Sequence, residues 1–278
     1  IQPRNVISIG DNASVSIVHC DDSLETKETL INTVTEIYVG KAAQCDYFKL
    51  ENKDNQTTLI NHLLIHQEGN SIVNTNTTVF NGGLVHNTIA VNLAESKAEI
   101  NSNGLYLVDK KQDISNVLYI KHSAAECTSN QLYKGIIDDN AKAHFIGHVY
   151  VEKDAEKTEA RQTNRNILLT DNAKVVSKPF LEIYTDDVKC SHGSTVGQLD
   201  ENALFYLRTR GICERNARVL LMHAFAKEII DKISIKALSE RTERLVRKRL
   251  TGEIISCNSC MQQCDKKNIT FEIDIPEF

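Results

Sequence analysis

Cys190-Ser191-His192-Gly193 places a thiol and an imidazole two residues apart. In an extended segment, residues at i and i+2 point to the same side. Cys190 and His192 can then address one atom, either a soft metal held by sulfur and nitrogen or a sulfur atom activated for transfer. The same residue types also serve plainer ends, because a small buried Cys and a hydrogen-bonded capping His are common near strand ends. A second concentration of thiols is Cys257, Cys260 and Cys264. Cys-x-x-Cys with a third Cys four residues on has metal-ligand spacing, and three such thiols can also close a disulfide or carry persulfide. No fourth ligand lies near them, so the plainer reading is an extension whose cysteines do nothing. His62 with His66 and His144 with His148 lie four apart. On strands such pairs share a face but stand too far apart to chelate one ion closely, so both read as structural.

Whole classes of chemistry are missing. None of the 12 glycines belongs to a phosphate loop, a Gly-x-Gly-x-x-Gly dinucleotide turn or a Gly-x-Ser-x-Gly elbow, and no His-Glu-x-x-His zinc helix occurs. Any nucleotide hydrolysis that drives this protein belongs to another chain. Net charge is −5 with both signs mixed along the 278 residues, which gives no basic face for nucleic acid. The apolar stretch Val219-Leu220-Leu221-Met222 is interrupted by His223 and Lys227, far short of the roughly 20 residues a membrane span needs. The chain starts at Ile1 without Met or a charged-then-apolar leader and is expected to be a fragment or processed form. Its 8 cysteines are mostly scattered singly, unlike a small disulfide framework, and a reducing cytoplasm is expected.

The elements that must position Cys190 and His192 follow from periodicity. From Val6 to about Tyr184, short β-branched runs alternate apolar and polar residues, as in Ile89-Ala90-Val91-Asn92-Leu93, with Asn, Asp, Gly and Ser clusters between them. The punctuation is too frequent for crossover helices. Gly10-Asp11-Asn12-Ala13 recurs as Asp138-Asp139-Asn140-Ala141 and Thr170-Asp171-Asn172-Ala173, with a looser copy at Glu95-Ser96-Lys97-Ala98. A polar turn, a small residue for a tight corner, then a strand is the pattern of stacked coils. It predicts an all-β parallel β-helix over residues 1–197, with a β-sandwich as the competing architecture. Asn-Gly hairpin signals such as Asn81-Gly82 are sparse, which weighs against the sandwich.

After Gly197 the period changes to helical, giving a C-terminal α-helical subdomain over 198–252 and a cysteine-containing tail over 253–278. Leu199, Ala203, Leu204 and Leu207 form one short stripe, with Asp200 and Glu201 in its first turn and Gly211 at its end. Ala217, Leu220, Leu221, Ala224, Phe225 and Ile229 form a second stripe that should pack on the first. Residues 235–250 are Arg-rich and read as a solvated helix face or an acidic-partner surface.

The run Gln162-Thr163-Asn164-Arg165-Asn166-Ile167-Leu168-Leu169, then Ser177-Lys178-Pro179, Leu181-Glu182-Ile183 and Asp186-Asp187-Val188-Lys189-Cys190-Ser191-His192-Gly193-Ser194-Thr195-Val196-Gly197, resembles the SufB/SufD family of iron–sulfur cluster assembly proteins, most of all SufD. Phe205-Tyr206-Leu207-Arg208-Thr209-Arg210-Gly211 extends the likeness. The resemblance implies a right-handed β-helix core and a non-catalytic scaffold that pairs with a SufB-like paralogue and docks a SufC-like ABC ATPase. It also implies that His192, with Cys190 second, contributes to a nascent cluster shared with the partner, since a full cluster usually takes four ligands. Leu204, Leu207, Arg208, Leu220, Leu221 and Phe225 are the expected ATPase contacts. No tightly bound cofactor is expected, only transient iron or an iron–sulfur cluster in the complex, and a homodimer is a further expected form. The competing class is a β-helix enzyme such as a polysaccharide lyase, which the absence of Trp and the sparse aromatics disfavour.

Overall fold

The computed structural model describes residues 1–22 and 28–251. Strands β1 (Arg4–Ile9), β3 (Thr29–Val39), β5 (Thr57–Gln67), β7 (Leu84–Leu93), β9 (Asp113–His122), β11 (Lys142–Val151) and β13 (Lys174–Ile183) form one sheet in that order. Strands β2 (Ser14–Asp22), β4 (Gln44–Asn52), β6 (Ile72–Asn81), β8 (Glu99–Val108), β10 (Thr128–Ile137), β12 (Thr158–Leu168) and β14 (Val188–Gly197) form the other. Every pairing is parallel, and successive strands alternate between the odd and the even sheet. The chain therefore winds as a parallel β-solenoid, and the sandwich is excluded. Even Asn81-Gly82 leads from one sheet to the other rather than round a hairpin.

The corners explain the sequence repeat. Asn12, Ala42, Asn70, Lys97, Glu126 and Lys157 all have positive φ, between 54° and 64°. Each donates its backbone N–H to a carbonyl at the corner of the next coil: Lys41, Gly69, Ser96, Ala125, Glu156 and Asp187, at 2.6–3.3 Å. The residue after each corner turns inward, where Ala43, Ser71, Ala98, Cys127 and Thr158 are buried. A larger side chain there would collide with the coil above or below, so this position is restricted to small residues.

Between the sheets the lumen is apolar along much of its length, with polar layers. Glu51 is fully buried and accepts from Asn61 Nδ2 at 2.7 Å and Asn87 Nδ2 at 2.9 Å, with Lys49 Nζ 3.7 Å away. Burial pushes its carboxyl up against the opposing pull of Lys49. Nearer the C-terminal coils, two tyrosines and two glycines interlock. Tyr106 on β8 is in register with Gly135 on β10, and Tyr133 on β10 with Gly104 on β8. Each ring fills the space that a side chain on the opposite glycine would need. The Tyr106 hydroxyl donates to Asn166 Oδ1 at 2.5 Å and accepts from Asn164 Nδ2 at 3.0 Å, which ties this layer to β12.

Three helices follow: α1 (Glu201–Thr209), α2 (Glu214–Ile230) and α3 (Lys236–Thr251). The Asp200 carboxylate caps α1 by accepting from the backbone N–H groups of Asn202 and Ala203, a contact worth about 1 kcal/mol. Gly211, at φ 85°, ends it as expected. The helices cover the outer face of the even sheet, where Phe48, Leu50, Phe80, Leu105, Leu107 and Ile136 meet Met222, Ala226, Ile229, Leu238 and Val246. Two expectations are corrected here. The buried face of α2 runs through Ala217, Met222, Ala226, Ile229 and Ile230, leaving Leu220, Leu221 and Phe225 half-buried and Ala224 exposed. The expected stripe is rotated because the helix packs on the solenoid and on α3, not chiefly on α1. The Arg-rich segment is likewise not wholly solvated: Arg249 Nε donates to the Phe80 carbonyl at 3.0 Å, and Nη1 pairs with Asp109 at 2.5 Å. Among the described residues no helix is long and apolar enough to cross a membrane.

Candidate functional site

Lys189 to Gly193 forms the first half of β14, the final strand of the solenoid. β14 pairs with β12 along its whole length and, among the described residues, has no partner on its other edge. In this register Ala160 faces Cys190 and Gln162 faces His192. Ala160 and Gln162 are lumen residues, so Cys190 and His192 share the inward face, as their spacing required. The lumen is open at this coil. Residues 191–198 are exposed, and on the matching edge of the odd sheet the inward-facing Val175, Ser177, Pro179 and Leu181 are only half-buried. The two edges meet where Ser194 Oγ donates to Ser177 Oγ at 2.7 Å.

Within this open coil the two candidate ligands differ. Cys190 is half-buried and packs against the small cluster of Val149, Val151, Ala155 and Ala160. Burial pushes its thiol up, partly offset by the Ala160 backbone N–H, so near neutral pH it is held as a thiol rather than a ready thiolate. His192 is exposed. Its register neighbour Gln162 donates Nε2 to Gln131 Oε1 at 2.8 Å but leaves Oε1 buried without a partner among the described residues. On the outward face Lys189 Nζ reaches Glu159 Oε1 at 2.7 Å.

Two ligands do not make a complete site. Among the described residues no group of three or more His, Cys, Asp or Glu is arranged to hold a metal ion. Cys257, Cys260 and Cys264 lie outside the described residues. His62, His66, His144 and His148 all project from the outer face of the odd sheet, where His148 Nε2 lies 3.1 Å from Glu182 and His144 Nε2 3.5 Å from Asp113.

The expected partner contacts are dispersed. Leu204 is 3% exposed and is used up in packing, while Leu207 is half-buried and Arg208 is exposed, 3.7 Å from Glu214. Phe225 lies under the Lys134 ammonium, 4.4 Å from the ring centroid, and with Leu221 packs on the core beneath the helices. The prominent surface of α1 was missed: Phe205 is 68% and Tyr206 57% exposed. Its signal was present in the sequence, since a stripe through Leu204 and Leu207 leaves two adjacent aromatics on the solvent side of a short helix.

Residues 1–225 match the family described as the SufBD core domain of the SUF system for iron–sulfur cluster assembly. The chain is 32% identical over 256 residues to an iron–sulfur cluster assembly SufBD family protein of Synechocystis, covering 88% of this chain and 56% of that protein. It is 30% identical over 251 residues to the iron–sulfur cluster assembly protein SufD of Escherichia coli, covering 90% of this chain and 59% of that protein. A SufD of Plasmodium falciparum is 32% identical over 262 residues, 88% of this chain and 17% of that protein. The chain thus spans little more than half the length of the two bacterial relatives.

Proposed function

The chain belongs to the SufBD core family of SUF-system iron–sulfur cluster assembly proteins, and from that membership we propose that it is a SufD-like scaffold subunit, without catalysis of its own, that pairs with a SufB-like paralogue through its last coil. The observation that carries the reading is the open edge of β14 with Cys190 and His192 on its inward face. An unpaired strand edge offers a row of backbone donors and acceptors to a second chain. Two ligands on that edge gain the rest of a cluster's shell only when the second chain arrives. The nascent cluster is cargo. His192 supplies a nitrogen ligand at the exposed position, and Cys190 a sulfur ligand once its thiol gives up a proton to the incoming metal.

The helical subdomain is assigned the docking of a SufC-like ABC ATPase. Exposed Phe205, Tyr206 and Arg208 on α1 present an aromatic and cationic surface of the kind that anchors interfaces. Movement of the ATPase would reach the solenoid through α2, whose Phe225 carbonyl accepts from Lys134 and whose Ile229 carbonyl accepts from Asn76. We place the complex in a reducing cytoplasm, consistent with Cys20, Cys45, Cys127 and Cys190 forming no disulfide among the described residues. The polysaccharide-lyase reading has no support from the family match.

The test is co-expression with a SufB-like and a SufC-like chain, followed by affinity capture and cluster reconstitution read by visible absorbance. Capture of both partners is expected, with His192→Ala keeping the complex intact but lowering cluster yield at least about tenfold, as for loss of a ligand. Failure to capture either partner under reducing conditions refutes the scaffold reading. Wild-type cluster yield from His192→Ala refutes the role of that residue. Deleting residues 253–278 is expected to leave assembly and bound iron unchanged.

A further inference from the structure

The outer face of the even sheet carries a polar row that runs out from beneath the helices. Asp46, Asn74, Asn101, Asn130 and Arg161 occupy successive strands in register. Asn130 Nδ2 donates to Asn101 Oδ1 at 3.0 Å, Asn101 Nδ2 to Asn74 Oδ1 at 3.0 Å, and Asn74 Nδ2 to Asp46 Oδ1 at 2.8 Å. All three amides thus direct their donors toward the Asp46 carboxylate, and the free carbonyl end of the ladder, on Asn130, lies beside Arg161. Between this face and the C-terminal end of α2 is a groove of about 470 Å³.

The charge in the groove is unbalanced. Its basic groups are Arg161, Arg165 and Lys232, and its one carboxylate, Glu228, is already engaged by Lys134 and lies 3.7 Å from Arg165. Arg161 and Lys232 close no ion pair among the described residues. Arg161 and Arg165 stand four residues apart on β12, so their stems are separated by about 13 Å, with the Thr163 hydroxyl between them on the same face. One carboxylate cannot satisfy both guanidinium groups, whereas a ligand with several phosphoryl oxygens can bridge them through bidentate contacts. Asn130 Oδ1 and Glu228 are acceptors in the same groove, which suits a ligand that also carries hydroxyl or amino donors.

We propose that this groove is a binding site for a small phosphorylated molecule, from pyrophosphate to nucleotide size, held by Arg161, Thr163, Arg165 and Lys232. The site is separate from the partner reading, because it uses the outward face of β12 whereas Cys190 and His192 face inward on β14.

The test is isothermal titration of the purified chain with pyrophosphate and with ADP, at low and at physiological salt. Saturable single-site binding that weakens with salt is expected, with Arg161→Ala raising Kd about tenfold and Arg161→Ala with Arg165→Ala about a hundredfold. Lys174→Ala, which removes an exposed cation from the odd sheet, should leave Kd unchanged. Arg165→Ala also frees Glu228, so melting of each variant is measured; if the double variant is less stable, Arg161→Ala alone decides. No saturable binding of either probe at millimolar concentration overturns the proposal, as does a Kd unaffected by Arg161→Ala or equally raised by Lys174→Ala.

Discussion

Gly135→Ala and Gly193→Ala place the same methyl group on neighbouring regions of the even sheet, and the structure gives them opposite outcomes. A Cβ on Gly135 would lie 2.1 Å from Tyr106 Cε2 and 2.5 Å from Asn166 Oδ1, whereas a Cβ on Gly193 meets nothing within 4 Å. Tyr106 cannot yield without loss, because its ring is fully buried and its hydroxyl bonds both Asn164 and Asn166. Overpacking costs about 1–3 kcal/mol and an unpaired buried polar group about as much again, so Gly135→Ala should lose roughly 2–5 kcal/mol. For a domain of this size that lowers Tm by roughly 5–15 °C. Gly193→Ala should stay within about 0.5 kcal/mol of wild type. Urea unfolding followed by circular dichroism measures both, and adding Tyr106→Leu to Gly135→Ala should cost less than the sum of the two single changes. The layer lies directly below Asn164, whose register partner on β14 is Ser194, so Gly135→Ala should also weaken partner capture while Gly193→Ala spares the fold. Equal stability of the two variants, or strict additivity with Tyr106→Leu, refutes the interlock.

Other consequences are as direct. His122 is buried, its Nε2 lies 2.9 Å from Ser129 Oγ, and burial pulls its pKa down to about 4. A base whose folded pKa is depressed contributes stability that is complete above its unfolded value near 6.5 and is lost as pH falls toward 4, here up to about 3 kcal/mol. The urea midpoint should therefore drop between pH 6.5 and 4, and His122→Gln should flatten that drop; a drop of unchanged size in the variant refutes the assignment. Arg249→Ala removes the bonds to Phe80 and Asp109 and should cost about 1–3 kcal/mol, seen as faster proteolysis after residue 235 with the solenoid intact. Cys190, half-buried and with its thiol pushed up, should react with iodoacetamide at pH 7.5 more slowly than exposed Cys20, as peptide mapping would show, and binding of a SufB-like partner should slow it further.

Much of the coil grammar was legible because a solenoid repeats one local problem. The small residues Ala13, Ala98 and Ala141 mark corners in the sequence because each corner brings the backbone of one coil against the next. The Cys190 and His192 pairing was legible for a similar reason, since period 2 fixes the shared face whatever surrounds the strand. The rotated face of α2 was not legible, because Leu220, Leu221, Ala224 and Phe225 are as apolar as Met222 and Ala226 and only the sheet selects between them. The strands beneath the helices show the same limit: in Gln44–Asn52 both faces are buried, with Tyr47, Lys49 and Glu51 in the lumen and Phe48 and Leu50 under the helices.

By itself the sequence pointed to the parallel solenoid over the sandwich, to the helical segment after it and to a common side for Cys190 and His192, because each depends on contacts between residues close in the chain or at a fixed repeat. Only the tertiary structure decided that the Cys–His pair sits on an open edge, that Tyr106 and Tyr133 interlock with Gly135 and Gly104, and that Arg161, Arg165 and Lys232 gather over a ladder of asparagines. Those arrangements join residues from different coils and from a helix some 70 positions away. Stacking register and helix docking, rather than any local pattern, bring them together.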